Sequence, residues 1–174
     1  MKKIIFLILV VGLVFVSLFP PTQGYIQHPY NFVAVKVGLP QWLPTQSMVL
    51  ETEGGQVEVR VAVADDPAER EIGLMHRSSL KEGKGMWFIF DDSATRRFWM
   101  KNMKISIDII YLSADKEVRS FIENVPPCEK SASACDTYPS TEPSQYVLEV
   151  PAGFIKKYGV TVGDVVYEVS TGRV

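Results

Sequence analysis

From Ile105 to Tyr111 apolar and polar positions alternate. Ile105, Ile107, Ile109 and Tyr111 fall on one face, and Ser106, Asp108 and Ile110 on the other. A period of two predicts a strand with one face buried. Together with Phe98, Trp99 and Met100 just upstream, Arg97–Leu112 reads as a central strand pair, broken near Asn102–Lys104. In Val57–Val63 four valines alternate with Glu58, Arg60 and Ala62, and Gly54-Gly55 separates that run from Val49–Thr52. Two extended runs around a glycine pair predict a β-hairpin. Further strands are expected over Met86–Phe90, Val118–Val125, Tyr146–Val150 and Val165–Val169.

Only two short helices interrupt these strands. Asp66-Pro67-Ala68-Glu69 supplies an N-cap, a proline for the first helical position and the acid of a capping box, and Gly73 can close the helix. Pro151–Tyr158 predicts the second, stopped by Gly159. Pro126–Pro143 has no period and reads as irregular. The expected fold class is mainly β, a β-sandwich or partly closed barrel with two short helices, preceded by an N-terminal hydrophobic helix.

That N-terminal helix comes from a different pattern. Lys2 and Lys3 precede Ile4–Phe19, which is apolar apart from Gly12 and Ser17, and Pro20-Pro21 ends it. Residues 1–24 are therefore a signal peptide, cut after Gly24, or an uncleaved membrane anchor of about 24 Å. Both readings place the rest of the chain outside the cytoplasm and make the membrane a partner through this segment. Residues 25–47, with Pro29, Pro40 and Pro44, read as a linker, and residues 48–174 as the domain. Removing the two positive charges of Lys2 and Lys3 takes the formal charge from −2 to −4, which argues against nucleic acid as a partner.

The two cysteines, Cys128 and Cys135, have six residues between them in a Pro/Ser-rich stretch. In an exported chain that arrangement predicts a disulfide. No metal site is expected, because His28 and His76 lie in no ligand-spacing motif, and no cofactor motif is present.

The ordered stretches R-E-I-G-L-M-H-R at 70–77, G-M-W-F-I-F at 85–90, F-W-M-K-N-M-K-I-S-I-D-I-I-Y at 98–111 and Y-V-L-E-V-P-A-G at 146–153 resemble the family labelled domain of unknown function 192 (DUF192). The resemblance spans nearly all of residues 49–169 and departs at Met103 and Ser106, where the family has Thr and Pro. It implies a small β-rich domain, often behind an export signal, and no defined activity.

Candidate site residues follow from chemistry. Asp108 stands among isoleucines, where a carboxylate needs a compensating partner; Arg70 and Arg77 are the expected ones, with the planar fork that suits a carboxylate. Phe98 and Trp99 point to opposite sides of a strand, so one is expected at the surface, beside Lys101 and Asn102. An exposed aromatic with polar neighbours suits a glycan or peptide ligand. Asp108, Arg77, Trp99, Lys101, Asn102 and His76 are the ligand-binding candidates, and no residue is assigned a catalytic role. The leading expectation is a non-catalytic binding or accessory module of the cell envelope. A small hydrolase using Asp108 with His76 or Lys101, and a purely structural envelope protein, are the alternatives.

Overall fold

The computed structural model describes residues 43–129 and 134–169. The leader at 1–24 and most of the linker at 25–47 lie outside the described residues. Among the described residues no helix is long and apolar enough to cross a membrane.

Among the described residues there are nine strands and two short helices. They are β1 (Thr45–Thr52), β2 (Gly55–Ala64), α1 (Pro67–Ile72), β3 (Lys84–Ala94), β4 (Arg97–Trp99), β5 (Ile107–Leu112), β6 (Val118–Val125), β7 (Thr137–Pro139), β8 (Ser144–Pro151), α2 (Phe154–Tyr158) and β9 (Val165–Glu168). Seven strands form one sheet in the order β6-β5-β8-β3-β2-β1-β9, and β4 and β7 form a separate two-stranded sheet. The large sheet is antiparallel except for β2 and β3, which run parallel with α1 as their crossover. The sheet is curled. Its two edges meet where Glu117 bridges Val165 and Val118 N–H donates to Asp164 O at 2.8 Å.

The predicted hairpin is present, with Thr52 opposite Gly55. Its first strand begins at Thr45, inside the span expected to be linker, and Leu43 is already buried. The capping box forms as read: Asp66 Oδ1 accepts from Glu69 N at 2.8 Å, and Glu69 Oε2 accepts from Asp66 N at 3.4 Å. α1 is then pinned to β3 by Arg70, whose guanidinium donates to Ile89 O at 2.7 Å and lies 5.1 Å from the Phe90 ring centre.

Two sequence expectations give way. Arg97–Leu112 is not a strand pair: β4 pairs with β7, while β5 lies between β6 and β8. β5 also has no wet face, because all six of its residues are buried. Its even and odd positions enter different cores. One holds Trp87, Ile110, Leu148, Val150, Phe154 and Ile155. The other holds Leu74, Met86, Phe88, Met100, Met103, Ile107, Ile109 and Tyr111. An antiparallel strand in mid-sheet with both faces covered reads as a continuous apolar run, and the alternation at 105–111 came from Ser106 and Asp108 alone.

The small sheet is tied to the large one by polar contacts. Tyr111 O–H donates to Tyr138 O at 2.6 Å, and Arg96 Nε donates to Ser144 O at 2.8 Å. Phe98 packs edge-on against Phe88, with ring centres 4.9 Å apart, and against Tyr111. Gly85 opens the β3 motif for a steric reason: a Cβ there would stand 2.6 Å from Glu149 O, so only glycine lets β3 and β8 approach this closely.

Candidate functional site

Two turns lock together at one end of the second core. After α1, Gly73 N–H donates to Glu69 O at 2.9 Å, and the chain turns through Leu74-Met75 into His76, which has a φ of 64°. The facing turn after β4 places Asn102 at a φ of 57°. His76 N–H donates to Asn102 O at 2.8 Å, and the Asn102 amide lies 3.6 Å from the Met75 sulfur. Left-handed backbone at non-glycine residues is uncommon, and here the cross-turn bond and the buried Leu74, Met100 and Met103 hold it.

Four of the six ligand-binding candidates meet on this surface. Trp99 is 39% exposed, and Lys101 Nζ stands 4.7 Å from its ring centre. Asn102 and His76 are both exposed. The cation over the indole adds electrostatic attraction to the ring face. The expectation that one of Phe98 and Trp99 reaches solvent therefore holds, with Trp99 outward and Phe98 half-buried. Arg77 lies one turn away on an adjoining groove. Burial lowers its pKa, and its Nε is sealed from solvent with no hydrogen-bond partner among the described residues.

Asp108 is elsewhere, and the expected ion pair with Arg70 or Arg77 is not formed. The Asp108 side chain is fully buried in the first core, on the opposite sheet face from Leu74 and Met103. Its carboxylate accepts three backbone N–H groups: Asn124 at 2.7 Å, Gly153 at 3.2 Å and Ile155 at 2.9 Å. Amide donors do the work expected of a guanidinium, and they leave it no surface for a ligand or for His76 or Lys101.

The sequence reading passed over Glu149. It lies on β8 opposite Met86 and Ile109 and is 5% exposed. A cavity of about 20 Å³ separates its end of the core from the motif turns, lined in part by Arg70, Leu74, Met75, Phe98, Trp99 and Met103. Glu149 Oε2 has no hydrogen-bond partner among the described residues, and burial pushes the carboxyl up to about 8. At neutral pH it is therefore an uncharged acid. Burial, then the Glu149 charge, raises the Tyr111 phenol. All four motifs contribute to this cavity, so an acid inside the V-L-E-V run was the signal available.

Cys128 and Cys135 form the expected disulfide, S–S 2.11 Å, and Cys128 N–H donates to Met100 O at 3.3 Å. Reduction is expected to lower the unfolding free energy by roughly 2.5 kcal/mol in the chain-entropy picture. Denaturant unfolding with and without reductant measures it, and free alkylation of both thiols in the native, unreduced protein would contradict it. Among the described residues no three His, Cys, Asp or Glu side chains form a metal-ligating group.

Fold and site define a small curled β domain whose sequence motifs converge on one end of one core. The DUF192 family model, described as an uncharacterized ACR, matches residues 48–167, and the chain belongs to that family. A solved structure from Sinorhizobium meliloti 1021, described as a candidate transcription regulator, is 32% identical with a TM-score of 0.67. The alignment covers 72% of this chain and 95% of that one. A protein of unknown function from Novosphingobium aromaticivorans DSM 12444 is 28% identical with a TM-score of 0.68, covering 75% and 90% of the two chains. No curated protein matches the chain.

Proposed function

We propose that this chain is a non-catalytic binding module of the cell envelope that takes a saccharide on the Trp99 surface. The observation that carries the reading is the 39% exposed indole beside Lys101, Asn102 and His76. A flat apolar ring ringed by donors complements the face and hydroxyls of a sugar. The two locked turns beneath it are a rigid support, which lowers the ordering cost of binding. The alternative hydrolase loses its centre, since the Asp108 carboxylate is enclosed by amides. The disulfide supports an oxidising compartment outside the cytoplasm, and Lys2, Lys3 and Ile4–Phe19 support the membrane as partner. The regulator description of the Sinorhizobium protein is not carried over, because a net charge of −2 gives duplex DNA little to hold.

Tryptophan fluorescence titrated with a panel of neutral oligosaccharides, and in parallel with short peptides, tests this. Trp99→Ala is expected to abolish the saccharide response while lowering stability by about 1 kcal/mol or less. Undiminished saccharide binding by Trp99→Ala would remove the platform, and a response to peptides alone would change the ligand class.

A further inference from the structure

We propose a second binding site, for a small molecule carrying a phosphate or carboxylate group, in the groove between the parallel β2–β3 pair and the chain leaving α1. It goes beyond the saccharide reading and does not depend on it. The groove has a volume of about 410 Å³ and is lined by Arg60, Arg77, Lys81 and Lys84, with no Asp or Glu among its lining residues. That volume falls in the range of about 300–1,000 Å³ typical of small-molecule sites. Leu74 and Leu80 give it an apolar wall, so the ligand it fits is compact, with an anionic head.

The four cations are uncompensated. None makes a side-chain hydrogen bond or ion pair among the described residues. The chain has 20 acids to 18 basic residues, so the imbalance is local and not a product of composition. Arg60 and Lys84 are register partners across the parallel β2–β3 pair. Like charges placed opposite each other on neighbouring strands destabilise the pairing, and a bound anion reverses the sign of that contact. Glu82 is close in sequence but is turned away, its carboxylate held by Lys157 and by Tyr158 O–H at 2.6 Å.

Arg77 is the focus of the site. It is half-buried, and its sealed Nε lacks an acceptor. Arg77 nevertheless lines the groove, and a carboxylate or phosphate oxygen there is the natural complement of its guanidinium group. Phosphate and carboxylate share this chemistry, so the experiment separates them.

The full chain is titrated with sodium phosphate and with sodium citrate, each against sodium chloride at matched ionic strength. The Arg77 Nε–H resonance and the thermal unfolding midpoint are followed. Phosphate, citrate or both are expected to shift the resonance saturably and raise the midpoint, with chloride inert. Response to one alone assigns the head group. Arg77→Gln and Lys84→Gln are each expected to weaken binding about tenfold, whereas Lys156→Gln, outside the groove, leaves it unchanged. Lys84 is exposed, so its variant keeps the test valid even if Arg77→Gln folds poorly. No response beyond chloride, or equal affinity in all three variants, would overturn the site. Loss of anion binding with saccharide binding intact would refute the groove alone.

Discussion

Replacing Asp108 by alanine is expected to lower the unfolding free energy by about 3–5 kcal/mol, although no cation is lost. The carboxylate is the junction of three segments. The β5–β6 register slips between Ile107 and Ile109, and Asn124 sits in the extra stretch with a φ of 53°. Asp108 Oδ1 takes the Asn124 N–H and so satisfies the donor that the bulge removes from the ladder. The same side chain serves α2. That helix has only five residues, and its N-cap Gly153 offers no side-chain acceptor. Asp108 replaces the missing cap from another strand, accepting from Gly153 and from Ile155. A negative charge there also suits the helix N-terminus. Alanine leaves three donors without their acceptor and a cavity in the first core. Asp108→Asn is expected to cost less, since one oxygen remains, but its NH₂ meets a donor. A denaturant midpoint shift worth under about 1 kcal/mol for the alanine variant would refute this account.

Asp108 also shows where the sequence stops being legible. Burial and the need for compensation could be read from the isoleucines around it, but the compensating groups are backbone amides 16, 45 and 47 residues away, which no side-chain inventory registers. Local features were readable because their causes are local. The valine alternation of β2, the glycine turn before it and the Asp66–Glu69 capping box each depend on a few adjacent residues. The β4–β7 pair was not readable, since Phe98 faces Tyr138 across a stretch with no period. Trp99 and Lys101 were found because consecutive strand residues must face opposite ways. Glu149 was passed over for the complementary reason. Between Leu148 and Val150 it reads as the wet position of a half-buried strand, but residues brought in by distant turns, Leu74 and Met103 among them, line the same enclosed space.

That enclosure makes Glu149 the origin of the second large effect, a fall in stability as pH rises. The ordinary value of its carboxyl is 4.5, and burial raises the folded-state value to about 8. Below about pH 4.5 both folded and unfolded chains hold the proton, and the group has no effect on the balance. Between the two values the unfolded chain releases the proton while the folded chain keeps it. The folded state then binds more protons, so unfolding free energy declines with pH, by up to about 1.4 kcal/mol per unit. Near pH 7 the accumulated cost is roughly 3 kcal/mol, and above pH 8 it levels off as the buried carboxyl ionises. Glu149→Gln keeps the shape and removes the titration. It is expected to unfold with a flatter pH dependence and to be the more stable protein at pH 8, by somewhat less than that amount because its amide also needs partners. Denaturant midpoints of both proteins from pH 5 to 9 give the difference directly. Carboxylates with lowered values, such as Glu168 and Asp92, act on the acid side and cancel in the subtraction. Parallel curves through pH 5–8 would show that Glu149 enters the fold already ionised.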